Sequence, residues 1–108
     1  MATTFKNVRA VLADTATDVY TVPTETTAIV IGCQVANVGA ATNDLDFWWT
    51  DASAANAVTM LSDATTVPVS AAYEPVGGKL VLEAGDKLRG LSETTDELEA
   101  TVSVVELS

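Results

Sequence analysis

One of two clusters of oxygen ligands in this sequence is the segment NDLDFWWTD, which holds Asn43, Asp44, Asp46 and Asp51. Carboxylates and amide carbonyls grouped in this way are the donors that a hard cation such as calcium takes. The D-x-[DN]-x-[DN]-G loop that wraps such ligands round one ion is missing. Asp44 and Asp46, two apart, merely point to one side of a strand. A second acidic stretch, SETTDELE over residues 92–99, reads as a solvated connection. A glycosidase-type acid–base pair would need two carboxylates facing each other across a cleft. The sequence has no histidine, which removes Ser-His-Asp and Cys-His nucleophile systems, imidazole metal ligation and the commonest general base. The single cysteine, Cys33, lies in the apolar run TAIVIGCQV, where a thiol behaves as a small core hydrophobe. Neither G-x-x-x-x-G-K-[ST] nor G-x-G-x-x-G is present, and Gly77-Gly78 followed by Lys79 lacks the spacing that cradles phosphate. No catalytic residue, metal site or cofactor is expected.

The aromatic residues say more. Trp48 and Trp49 are adjacent, so on a strand they face opposite ways. Leu45, Phe47 and Trp49 share the apolar parity and read as core, whereas Trp48 falls with Asp46 and Thr50. Trp48 then lies either beneath a loop or against another subunit or a glycan, because an indole left in water invites cover. Trp48 and Tyr73 are the candidate partner-contact residues.

The elements that carry these residues are strands. Val, Ala and Thr dominate, and branched side chains suit a pleated surface. Strand patterns cover residues 5–12, 18–22, 27–38, 45–50, 57–61, 66–69, 79–83, 87–91 and 97–107, separated by Gly, Pro, Asn and Asp. The runs on either side of Pro23-Thr24-Glu25-Thr26 read as a hairpin, and Gly85-Asp86 as a tight reversal between two Leu-bearing strands. DASAANA, residues 51–57, is one helical turn or a loop. In residues 27–38, alternation puts Ile29, Ile31, Cys33 and Val35 on the core face. In the last run it puts Leu98, Ala100, Val102 and Val104 inward, and the adjacent Val104-Val105 then suggests a bulge or a strand end. The expected fold is all-β, an antiparallel β-sandwich or jelly roll of about eight short strands.

At 108 residues the chain is expected to be one domain spanning residues 1–108 with a single core, and 48% hydrophobic content excludes disorder as its default. Five basic residues stand against 15 acidic ones, for a net charge of −10, and no Lys or Arg occurs between Ala10 and Gly78. Such a chain is repelled by phosphate backbones and by anionic membranes, so neither nucleic acid nor a membrane is expected as partner. Lys6 and Arg9 precede only Val11-Leu12-Ala13, too short for a secretory core, and no apolar run approaches a bilayer span. A lone cysteine fits folding in a reducing cytosol. Only 19% of residues are charged, which suits a subunit packed beside copies of itself.

Two segments, LADTATDVYTVPTETTAIVIGCQVANV and KLVLEAGDKLRGLSETTDELEATVSVVELS, resemble small virion structural proteins of tailed bacteriophages. Those proteins carry a V-Y-T-V-P-x-x-T-T-A segment early, an L-x-L-x-x-G-D-x-L turn late, and a final strand ending in E-L/I-S. The matching positions are residues 19–23, 26–28, 80–88 and 106–108. VPTETT departs from the pattern, in which a glycine often ends the turn. The resemblance implies a sandwich or jelly roll that is made in the host cytoplasm and resides in the virion. Its implied role is a capsid decoration (cement) protein. Its implied partners are the major capsid protein or other virion proteins, bound as a homo-oligomer, with a trimer favoured. A tail, neck or fibre subunit is the alternative within that class. A carbohydrate-binding sandwich, with Trp48 and Tyr73 as stacking platform, is the alternative outside it.

Overall fold

Nine strands and one short 3-10 turn follow each other along residues 2–108, which the computed structural model describes. They are β1 (Thr3–Val11), β2 (Thr17–Thr21), β3 (Thr27–Asn37), β4 (Asn43–Asp51), the 3-10 turn Ala52–Ala54, β5 (Ala57–Val67), β6 (Ala72–Tyr73), β7 (Leu80–Leu82), β8 (Lys87–Ser92) and β9 (Leu98–Leu107). All pairings are antiparallel. One sheet runs β1-β9-β3, with β6 and β7 both pairing the far side of β3; the other runs β2-β8-β4-β5. The two sheets pack as a sandwich, and no α-helix occurs among the described residues.

Alternation builds the core. Leu98, Ala100, Val102 and Val104 of β9 face Val30, Val35 and Ala28 within one sheet and Leu45, Phe47 and Leu88 of the other, all of them buried. β9 runs in unbroken register against β1 through Val104 and Val105. The irregularity that the sequence suggests there sits one strand away. On β3 the register slips between Val30 and Gly32, which leaves Ile31 as an extra residue. A bulge of one residue reverses which parity points inward. Ala28 and Val30 are therefore core before it, Cys33 and Val35 after it, and Ile31 is turned out to solvent. This corrects the expectation that Ile29 and Ile31 belong to the core. The signal was Gly32, since a lone glycine inside a strand pattern often marks a bulge.

The supposed hairpin at Pro23 is corrected as well. β2 belongs to the four-stranded sheet and β3 to the five-stranded one, so the chain crosses between layers at Pro23–Thr26 instead of pairing back on itself. Glu25 takes the left-handed φ of 57° that a glycine would hold more readily. β7 and β8 are likewise in different sheets, and the reversal at Gly85 is a second crossing. There the Asp86 N–H donates to the Glu83 carbonyl at 3.0 Å with Gly85 at φ 87°, the geometry of a type II turn.

The two crossings are tied to each other. The Val22 N–H donates to the Asp86 carbonyl at 2.9 Å, and the Gly85 N–H donates to the Val22 carbonyl at 3.0 Å. The buried Asp86 carboxylate accepts the Ala52 N–H through Oδ1 and the Glu83 N–H through Oδ2, both at 2.9 Å. The segments VYTVP and LVLEAGDKL are thus one joint. Their distinctiveness as sequence reflects the donors and acceptors that a double crossing must satisfy. A further bond ties the layers together where the Tyr20 hydroxyl of β2 donates to Glu106 Oε2 of β9 at 2.5 Å, beside Lys6 Nζ at 3.5 Å from the same oxygen.

Candidate interaction surfaces and polar clusters

The acidic residues of NDLDFWWTD serve separate structural tasks. Asp44 Oδ1 accepts the Thr66 hydroxyl at 3.2 Å, and Asp46 Oδ1 accepts the Ala64 N–H at 2.7 Å, at the β5 bulge. Asp51 caps the 3-10 turn by accepting the Ser53 N–H at 3.0 Å. Asn43 is wholly buried: its Nδ2 donates to Glu97 Oε2 at 2.7 Å and its Oδ1 accepts the Thr94 N–H at 2.9 Å. Asn37 works alongside it, with Nδ2 donating to the carbonyls of Ala41 and Val67 at 2.9 Å. The sequence reading missed both asparagines as loop organisers. An Asn buried at a strand end was the available signal, because its amide can bond both strand and loop backbone. Among the described residues no three His, Cys, Asp or Glu side chains converge on one point.

Trp48 and Trp49 divide as their parity requires. Trp49, opposite Leu88, packs against the core, and Trp48, opposite Arg89 and Met60, lies on the outer face of the four-stranded sheet. The sequence leaves the cover of Trp48 to a loop, another subunit or a glycan. Trp48 is only 8% exposed within its own chain. Long side chains flank it across the ladder on both sides, and one of them is anchored: Arg89 Nε donates to Asp18 Oδ1 at 2.6 Å. Cross-strand neighbours of this length cover an indole as effectively as a partner would.

Tyr73 lies elsewhere. It stands on the two-residue edge strand β6, opposite Val35, and is 37% exposed. Trp48 and Tyr73 therefore occupy different sheets. The structure does not bring them together as a stacking platform, which removes the geometry on which the carbohydrate-binding alternative was built.

Cys33 is core, as its place in the run suggested, and 5% exposed. Burial, and after it the negative charge of Glu74, pushes its thiol up to about 12. It borders a shallow groove of about 830 Å³ where β6 and β7 part along β3, lined also by Gln34, Glu74, Lys79 and Thr101. A protonated thiol is a poor nucleophile, and no base other than Glu74 stands beside it in that lining.

Two of the sheet edges carry features that discourage pairing. The free edge of β1 carries Lys6 and Arg9, and β5 is broken by two register shifts, one at Asp63–Ala64 and one at Leu61. Charge and bulges both discourage strand addition.

No family model matches this chain, and no curated protein matches it. Solved structures do. A chain from Bacillus endospore appendages, which form a family of disulfide-linked pili, superposes on 99% of this chain and 87% of its own, with a TM-score of 0.60 at 8% identity. A pentameric capsid protein isolated from metagenomic phage sequences, solved twice, aligns with 93% of this chain at 17% identity and a TM-score of 0.46. The chain spans 60% of that protein's length in one structure and 59% in the other. The likeness to the appendage chain is one of fold.

Proposed function

We propose that this chain is a structural subunit of a bacteriophage particle, a decoration protein that binds the head as an oligomer and reinforces it through protein contacts. The observation that carries this reading is the double crossing. The residues that resemble phage virion proteins, 19–23 and 80–88, are those whose backbones bond each other across Val22, Gly85 and Asp86. The resemblance thus falls on the joint that makes the body stiff, and stiffness with adhesive faces is what a cement protein needs. The nested pairing of β1 with β9, β2 with β8, β3 with β7 and β4 with β5 supports reading the sandwich as a jelly roll. The polar clusters described above hold loops and caps, which supports a role without catalysis. A tail, neck or fibre position would use the same body. Linkage by disulfides, as in the pili of similar fold, has little support here because Cys33 is buried.

Binding tests the proposal. Purified chain is mixed with particles of the phage that encodes it, grown without it, and co-sedimentation is measured separately on heads and on tails. Saturable binding to heads is expected. Binding to tails alone would favour the tail or neck position, and binding to neither would overturn the proposal.

A further inference from the structure

The outer face of the five-stranded sheet carries an apolar row that nothing in the fold requires. Phe5 stands opposite Val105, Val105 opposite Ile29, and Ile29 opposite Val81, so one line of apolar side chains crosses β1, β9, β3 and β7. Phe5 is 74% exposed and Val81 60%. The bulged Ile31, 46% exposed, adjoins the row. Single exposed apolar residues are ordinary, whereas a contiguous set on a flat sheet marks a contact surface.

The same face is nearly free of charge. The rows on either side are Thr3, Leu107 and Thr27, and Asn7, Ser103 and Gly32. Among the outward positions of β1, β9 and β3, only Arg9 and Glu99 are charged, and they cancel; at the groove beside Ile31, Glu74 and Lys79 are again one of each sign. In a chain of net charge −10, this is where another copy can approach with least repulsion.

We propose that this face is a two-fold interface between two copies of the chain, with Phe5, Val105, Ile29 and Val81 at its centre. A patch that meets itself is isologous and closes as a pair, so the unit is a dimer and not the trimer favoured on resemblance. The area suffices. The nine residues of β1 reach about 30 Å, and four strands span about 20 Å with their side chains. Because β7 has only three residues, that gives about 500 Å² per copy and about 1,000 Å² per pair, the threshold that a specific interface must clear. Face-to-face sheets also pack readily, with strands within about 30° of each other. The inference rests on the reading as an assembling subunit, but pairing is measured on the purified chain and particle binding on the particle, so either can fail alone.

Sedimentation velocity of the purified chain at about 50 μM, well above a micromolar Kd, tests it with three variants. The wild type is expected at twice the 11.2 kDa chain mass. Phe5→Glu and Val81→Glu each place a carboxylate in the row, twice per pair, and should shift the protein mostly to monomer at this concentration, weakening the pair at least a hundredfold. Val58→Glu, exposed on the other sheet, should leave it a dimer. Far-UV circular dichroism checks that each variant is folded. A monomeric or trimeric wild type, or a dimer that Val58→Glu disrupts as strongly as Phe5→Glu, would overturn the proposal.

Discussion

The main-chain N–H of Val22 donates to the carbonyl of Asp86 at 2.9 Å, joining two of the points where the chain crosses between its sheets. The Asp86 side chain completes the joint by accepting the backbone N–H groups of Ala52 and Glu83. Asp86→Ala leaves two N–H groups without that acceptor and should cost about 2–4 kcal/mol. Asp86→Asn keeps one acceptor oxygen and should cost less. Urea denaturation measures both, and a loss under about 0.5 kcal/mol for Asp86→Ala would show that the joint does not hold the fold.

Glu25 sits at φ 57° in the other crossing. An L-residue there bears a steric cost that glycine avoids. Glu25→Gly should therefore stabilise the protein by about 0.5–1 kcal/mol, in spite of glycine's greater entropy when unfolded. A destabilised variant would mean that Glu25 contributes bonds which outweigh the strain.

Alkaline pH should destabilise the protein as two buried groups ionise. Burial and the charge of Glu74 raise the Cys33 thiol from 9.0 to about 12, and burial together with Glu106 raises the Tyr20 hydroxyl above its ordinary 10.0. Both groups are neutral when protonated, so the folded state binds these protons more tightly than the unfolded state. Their stabilisation is complete below about pH 9 and declines as pH climbs through the raised values. The urea midpoint should start to fall above pH 9, with Cys33→Ala removing the first part of the decline and Tyr20→Phe the part above pH 10. A midpoint that rises above pH 9 would contradict this.

Trp48 and Trp49 should matter alike to the isolated chain. Trp49 packs on the core and Trp48 is covered on the outer face, so replacing either by Ala should cost about 3 kcal/mol. A Trp48→Ala variant as stable as wild type would restore the view that its cover comes from another chain.

Strand positions, the inward side of β9 and the opposite facings of Trp48 and Trp49 were legible because side-chain alternation is a local property of the backbone. Four things were not. Alternation says which way Val22 or Leu82 faces but not which strand pairs with it, so two crossings between sheets looked like a hairpin and a tight reversal. The bulge at Ile31 reversed the facing of everything before Cys33, and Gly32 alone announced it. The two residues of β6 are too few to alternate at all. Trp48 was assigned to the correct face, yet its cover by Met60 and Arg89 depends on register across three strands. No single stretch of sequence holds that information.

A cryo-electron microscopy map of the phage particle whose genome encodes this chain tests the central claim most directly. The account predicts sandwich-shaped density on the outer surface of the head, seated over contacts between capsid subunits. A head bare of such density, with the chain absent from the particle or confined to the tail, would contradict it.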